Sequence, residues 1–328
     1  MTRYMDLLSP SILKELCARA GMRPQRSSGQ HFLVSRRVLD TIVTAVDPKQ
    51  SDTILEVGSG FGVLTTALAP YAGRIVAVER DRHVLPLLRE IVAPFGNIEV
   101  VEEDVLTLLR GDRLMSVIAR SRATKQSRGM RIKTGIASVA PLPRNDTGEG
   151  WKLATNLPYG ITSDFLRMLF DAIADGTLPP PTRAVLLLQR EVVDRLCGLP
   201  GARGFLTILT ELHAQPRRVL RVPASAFWPS PKVESAVVSL EHFLTPQAIA
   251  ERLGGVTRAQ FLALLRTACE HPRRQLRVTL QDAALGGRQR MDTILRAAHI
   301  DPTERPAVLT LDQWIVLAQG VHAHRAAP

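Results

Sequence analysis

Thr53-Ile54-Leu55-Glu56-Val57 runs directly into Gly58-Ser59-Gly60-Phe61-Gly62 and then Val63-Leu64-Thr65. A short apolar run that ends in closely spaced glycines and continues as a helix-length segment is the pattern of a buried strand turning tightly into a helix. Glycine there removes the side chains that would hold a ligand away from the backbone and permits angles closed to other residues. Something small is therefore cradled at the strand's carboxyl end. The spacing is G-x-G-x-G, and Val63 stands where a dinucleotide fingerprint needs its third glycine, which counts against a nicotinamide cofactor.

Working outward, the same kind of apolar run recurs at Arg74–Glu79, Ile98–Glu102, Leu153–Asn156 and Ala184–Gln189. Helix-length segments such as Val63–Ala69 and Val84–Val92 separate them, so the class is α/β, built of βαβ units around a parallel sheet. Arg218–Val222 and Ser235–Leu240 read as a hairpin closing one sheet edge. Beyond Phe243 the pattern is helical: Thr245-Pro246 opens one helix, and Arg258–Glu270, Met291–His299 and Asp312–Val321 follow. Near the start, Ser9-Pro10 caps a helix through Ala20 that Gly21 stops, and the basic stretch Arg23–Gln30 reads as an arm. The predicted organisation is residues 1–25 as helix and arm, 26–243 as an α/β domain and 244–328 as a small all-helical domain.

One stretch does not fit. Residues 113–150 carry eight Lys/Arg, two Asp/Glu, four Gly and two Pro without a sustained apolar period. A crossover between parallel strands needs about a dozen residues, so Ser116–Gly150 is read as an insertion, either a passenger or an RNA-binding loop.

Two acids follow the glycine loop in chain order. Glu79 ends the next strand, 21 residues beyond Gly58, and a carboxylate there can accept from both hydroxyls of a ribose. Asp104, just after the third strand, can accept from an adenine amine. Three strand ends in sequence point to S-adenosylmethionine.

Asn156-Leu157-Pro158-Tyr159 closes the fourth strand, beside the expected topological switch point. An adenine exocyclic amine is a poor nucleophile because its lone pair is delocalised into the ring, so it needs positioning and polarisation. The Asn156 side-chain oxygen and the Leu157 carbonyl can each accept one of its N–H bonds and encourage a tetrahedral nitrogen. Pro158 stiffens the turn and Tyr159 offers a ring for base stacking. A strand-end turn without chemistry would use the same residue types.

In order the chain carries Gly29-Gln30-His31-Phe32-Leu33, the E-V-G-S-G-F-G-V-L-T loop, Glu79, Asp104, Asn156–Tyr159, Gln189–Arg195 and Pro223–Val238. This series resembles the KsgA-type small-subunit rRNA adenine N6,N6-dimethyltransferase family, over about Arg26 to Leu240. The resemblance implies a Rossmann-like S-adenosylmethionine-dependent methyltransferase fold with a helical RNA-substrate domain. It also implies dimethylation of two adjacent adenosines in a loop near the 3′ end of 16S rRNA, within an immature 30S particle and by a monomer. Cofactor contacts then fall on His31, Leu33, Gly58, Glu79, Asp104 and Asn156. The acceptor site falls on Asn156, Leu157, Pro158 and Tyr159, with Phe227 as a second aromatic wall. His31 stands where Asn is frequent in the family, and its ring is expected to donate in the same way. A large-subunit methyltransferase of the antibiotic-resistance type and an assembly factor with weak or lost catalysis are the alternatives.

Composition agrees. The 328 residues are 45% hydrophobic and 22% charged, with 42 Lys+Arg against 31 Asp+Glu and a net charge of +11. That excess suits a polyanionic partner. The cysteines Cys17, Cys197 and Cys269 are too scattered for a disulfide framework or a zinc site, and no metal is expected. No apolar run reaches the roughly 18 residues of a membrane span, and the expected location is the cytoplasm.

Overall fold

The computed structural model describes residues 6–22, 31–111, 113–119, 150–199, 203–283 and 287–326. The basic arm and residues 120–149, the bulk of the expected insertion, lie outside them. The chain divides into two compact units, one of residues Met1–Arg190 and Arg217–Phe243, the other of Glu191–Pro216 and Leu244–Pro328. The helical unit thus includes a segment, Glu191–Pro216, that the sequence reading left in the α/β domain.

In the first unit the strands are β1 (Phe32–Leu33), β2 (Thr53–Val57), β3 (Arg74–Glu79), β4 (Ile98–Glu102), β5 (Trp151–Asn156), β6 (Arg183–Gln189), β7 (Gln215–Val222), β8 (Phe227–Trp228) and β9 (Ser235–Glu241). Seven of them form one sheet in the order β4-β3-β2-β5-β6-β9-β7, and β1 pairs antiparallel with β8. β2, β3, β4, β5 and β6 are mutually parallel and β9 runs antiparallel to β6. All six residues of β3 are buried, as a strand covered on both faces requires. The order reverses direction between β2 and β5, so the switch point lies between their carboxyl ends.

Helices α1 (Pro10–Arg19), α2 (Arg36–Val46), α3 (Val63–Leu68), α4 (Leu85–Val92), α5 (Val105–Arg110), α6 (Leu114–Ala119) and α7 (Thr162–Ala174) complete this unit. α2 starts where Ser35 accepts the Val38 amide, and it buries Val38, Leu39, Ile42 and Val46, a helical stripe against the sheet. These side chains share a core with Ile54, Ile75, Val185 and Val237.

The second unit holds α8 (Arg190–Leu196, entered from the first unit), α9 (Phe205–His213), α10 (Pro246–Leu253), α11 (Arg258–Glu270), α12 (Leu276–Thr279), α13 (Gly287–Ala297) and α14 (Leu311–Ala326). Thr257 and Gln260 form a reciprocal cap at the start of α11. None of the helices among the described residues is long and apolar enough to cross a membrane.

The expected insertion begins too early. Ser116–Ala119 belong to α6, whose Leu114, Val117 and Ile118 are buried. The buried Arg74 guanidinium donates to the Ile118 carbonyl at 2.6 Å and to the Val117 carbonyl at 3.1 Å, and it pairs with Glu99. This turn is core. Its short apolar sequence was masked by the basic residues that follow. At the other end, Lys152 near the start of β5 is held by the Asp52 carboxylate at 2.8 Å and the Asp47 carbonyl at 2.5 Å. Replacing Ile118 by Ala should cost about 2–4 kcal/mol in urea unfolding, the range for a buried Ile truncation. A change below about 0.5 kcal/mol, typical of surface positions, would return residue 118 to the insertion.

Candidate functional site

A cavity of about 510 Å³ opens at the carboxyl ends of β2, β3, β4 and β5, with the β1 segment on one side. Every site residue predicted from sequence lines it except Phe227. Phe227 is only 3% exposed. It pairs with Leu33 across β1–β8 and packs in the core with Val222 and Ala226. Its flanking prolines do not turn it toward the cavity, so it is not the second aromatic wall. Phe32 and Phe61 line the cavity instead, their rings stacked with centroids 5.0 Å apart.

The glycine loop and the acceptor turn touch. Gly58 has φ +71°, and a Cβ there would lie 3.4 Å from Pro158 Cδ and 3.8 Å from the Asn156 carbonyl oxygen. Only a residue without a side chain takes that angle and leaves this space open. The parallel register that sets Val57 opposite Thr155 creates the juxtaposition, and Thr155 Oγ1 donates to the Val57 carbonyl at 2.7 Å. Asn156 Nδ2 donates to the His31 carbonyl at 3.2 Å, which turns Oδ1 the other way as an acceptor.

His31 departs from its expected role. Its Nδ1 is 2.7 Å from the Pro229 carbonyl, and because a carbonyl only accepts, Nδ1 carries the proton. That ring proton is engaged within the chain, so Nδ1 does not donate to a ligand as an asparagine would. The ring faces Tyr159 at 5.6 Å between centroids. The Tyr159 hydroxyl is anchored on Ser235 Oγ at 2.8 Å, and burial pushes the phenol pKa up against the lowering effect of that bond. His31 and Tyr159 thus stand side by side on the cavity wall, which Phe227 does not line.

The three acids are held in different ways. Glu79 Oε2 accepts the Gly60 amide at 2.9 Å, while Oε1 accepts the amides of Arg80 at 2.8 Å and Asp81 at 2.9 Å. A carboxylate has about four lone-pair sites, so little capacity remains for the two ribose hydroxyls expected of it. Asp104 caps α5 by accepting the Leu106 amide at 2.8 Å, and Arg80 donates to its other oxygen at 2.9 Å. Burial raises its pKa, but Arg80 and the Leu106 amide outweigh this and hold the carboxyl below the ordinary range.

Glu56 was quoted in the motif without a role. It is buried beneath the loop, and desolvation above all, with the nearby Glu79 charge, pushes its pKa to about 8 against the lowering effect of Thr65. Among the described residues its Oε2 and the Ser59 Oγ have no hydrogen-bond partner. Glu56 and Ser59 both line the cavity. Unsatisfied polar atoms are costly in a protein interior, and here they fit a polar ligand end. Together with the open space over Gly58, they suit the zwitterionic tail and nucleoside of S-adenosylmethionine.

A Rossmann-like sheet with a glycine cradle at its switch point, acids at the successive strand ends and an Asn-Leu-Pro-Tyr turn beside the cradle defines a nucleoside-cofactor methyltransferase. Residues 21–300 match the family described as ribosomal RNA adenine dimethylase. The chain belongs to that family, an S-adenosylmethionine-dependent group of rRNA adenine dimethyltransferases. It is 34% identical to the ribosomal RNA small subunit methyltransferase A of Anaeromyxobacter sp. (strain K), covering 93% of this chain and 95% of that one. With the protein of the same description from Pelotomaculum thermopropionicum it shares 31% identity over 94% and 95% of the two chains. The crystal structure of the 23S rRNA methyltransferase ErmE superposes with a TM-score of 0.61 at 23% identity, over 88% of this chain and 99% of that one, a likeness of fold.

Glu56 gives the site a pH signature. A carboxyl whose pKa rises on folding stabilises the folded state while protonated; the contribution is complete below about 4.5 and lost as pH rises toward about 8. Glu56→Gln keeps the neutral form at every pH. Melting temperatures measured from about pH 5 to 9 should fall for the wild type relative to Glu56→Gln across that window, and parallel profiles would contradict the assignment.

Proposed function

We propose that this enzyme transfers methyl groups to N6 of two adjacent adenosines in a loop near the 3′ end of small-subunit (16S) rRNA, acting in the cytoplasm as a monomer on an immature 30S particle. The placement of Asn156 beside the Gly58 cradle carries the reading. The small-subunit target is supported by the descriptions of the relatives.

S-adenosylmethionine supplies, when bound, an electrophilic methyl group on a sulfonium. His31, Leu33, Gly58, Glu79, Asp104 and Asn156 are the residues that would hold it, with Glu56 and Ser59 added at the tail. The rest is done by the chain. Asn156 Oδ1, oriented by the Nδ2 bond to His31, accepts one N–H of the target amine, and the Leu157 carbonyl accepts the other. Two acceptors draw the nitrogen away from planarity and free its lone pair from the ring, a preorganisation that serves the transition state more than the ground state. Pro158 fixes the turn. Tyr159, tethered through Ser235, stacks on the base, worth about 1–3 kcal/mol. A base in this position has left its own stack. The helical unit, with residues 244–328 at its centre, takes the role of RNA-substrate domain.

The test is methylation of undermodified small and large ribosomal subunits, with the modified nucleotides mapped. Expected is N6,N6-dimethyladenosine at two neighbouring small-subunit positions. Asn156→Ala should lower the rate by about 100-fold or more, the scale for loss of a preorganised polar group, with RNA binding held within threefold. Modification of large-subunit RNA alone would move the enzyme to the antibiotic-resistance type. Absence of any methylation by the wild type would leave an assembly factor.

A further inference from the structure

Four exposed cations stand around the acceptor end of the first unit, and their positions follow from contacts lower in the fold. Arg183, at the start of β6, donates to the Ala45 carbonyl at the end of α2 and lies 3.7 Å from Glu241, at the end of β9. Glu241 also binds Arg217 of β7 at 3.2 Å. The last turn of α2 and the first part of β7 therefore meet at the end of the sheet remote from the cavity. The start of α2, with Arg36 and Arg37, and the last residues of β7, with Arg221, fall at the cavity end. The Val34 amide confirms the placement by donating to the Ala226 carbonyl at 2.8 Å.

Lys232 is placed by two anchors. Pro229 receives the His31 ring proton and Ser235 binds the Tyr159 hydroxyl, so residues 229–235 form one margin of the acceptor mouth, with Lys232 exposed between the two anchors. Arg36, Arg37 and Arg221 are also exposed. Among the described residues none of the four forms an ion pair; Asp40, one turn along α2, holds neither arginine, and Glu234 is taken by Arg190 at 3.2 Å. Most other exposed arginines of the unit are paired, as Arg19, Arg89 and Arg167 are with Glu90, Glu102 and Asp164. Cations grouped without counter-charges repel one another and gain most from a polyanion.

We propose that Arg36, Arg37, Arg221 and Lys232 form a phosphate-binding strip that holds the RNA backbone flanking the target adenosine at the acceptor mouth. The partner chemistry rests on the rRNA reading above; the strip adds which cations of the methyltransferase unit carry the backbone. Contacts of this kind set position rather than sequence, so the strip seats the strand while the Asn156–Tyr159 turn selects the base.

The test replaces all four by Gln and measures binding of undermethylated small-subunit rRNA and of oligo(A) across a salt series. Calorimetry with S-adenosylmethionine and a thermal melt are run alongside. A control variant removes the same charge from ion-paired sites of the first unit, Arg19, Arg89, Arg113 and Arg167. The strip variant should lose about 3 from the log–log salt slope, at about 0.7 per single-strand phosphate contact. Its KM for RNA should rise at least tenfold while cofactor affinity stays within twofold. Should the quadruple variant melt early, Arg221→Gln with Lys232→Gln is expected to give half the slope change. An unchanged slope, or an equal loss in the control, overturns the strip. Failure of the wild type to methylate RNA would instead overturn the functional reading, and the salt slope still decides the strip.

Discussion

The site depends on one backbone constraint, the parallel register of β2 against β5 that sets Val57 opposite Thr155. The residue after each is then placed without further choice: Gly58 turns away from one strand and Asn156 ends the other, a Cβ's distance apart. Because side chains alternate across a sheet, a slip of one residue would turn Thr155 into the cavity and Asn156 into the core. Burial on both faces forbids that slip. β3 carries the same logic outward, its Val78 beside Val57 and its Glu79 beside Glu102, so the acids reach the cavity at aligned heights.

The electrostatic design opposes interior and exterior. The chain carries a surplus of eleven positive charges, yet the cavity gathers Glu56, Glu79 and Asp104. Each acid is made tolerable by a different means. Amides of Gly60, Arg80 and Asp81 hold Glu79, Arg80 and a helix start hold Asp104, and protonation relieves Glu56, whose pKa reaches about 8. An acidic pocket suits a cationic methyl donor, while unpaired cations around its mouth suit a polyanionic acceptor.

The parts of this arrangement that are local were readable in the sequence. β2, β3 and β4 are apolar runs bounded by Gly, Asp or Asn, and the residues predicted for them are those observed. Seven of the nine cavity residues, all but His31 and Leu33, end such strands or follow them closely, so their convergence followed from the α/β class. What escaped is set by distant partners. β1 is two residues long and exists only because β8 pairs with it, which is also what draws Phe227 into the core. The tautomer of His31 is decided by a carbonyl 198 positions away. Residues Glu191–Pro216 join the helical unit although no composition change marks the crossing. Val117 and Ile118 are buried, and their carbonyls are held by Arg74 from 43 and 44 positions away.

The central claim is that one cavity holds methyl donor and target base together, with Asn156 between them. Its most direct test is a crystal structure with S-adenosylhomocysteine and adenosine. The account requires the adenosine amine within hydrogen-bonding distance of Asn156 Oδ1 and the Leu157 carbonyl, its ring on Tyr159, and the cofactor's nucleoside over Gly58 between Glu79 and Asp104. Adenosine bound elsewhere, or a cofactor that leaves Gly58 uncovered, would contradict it.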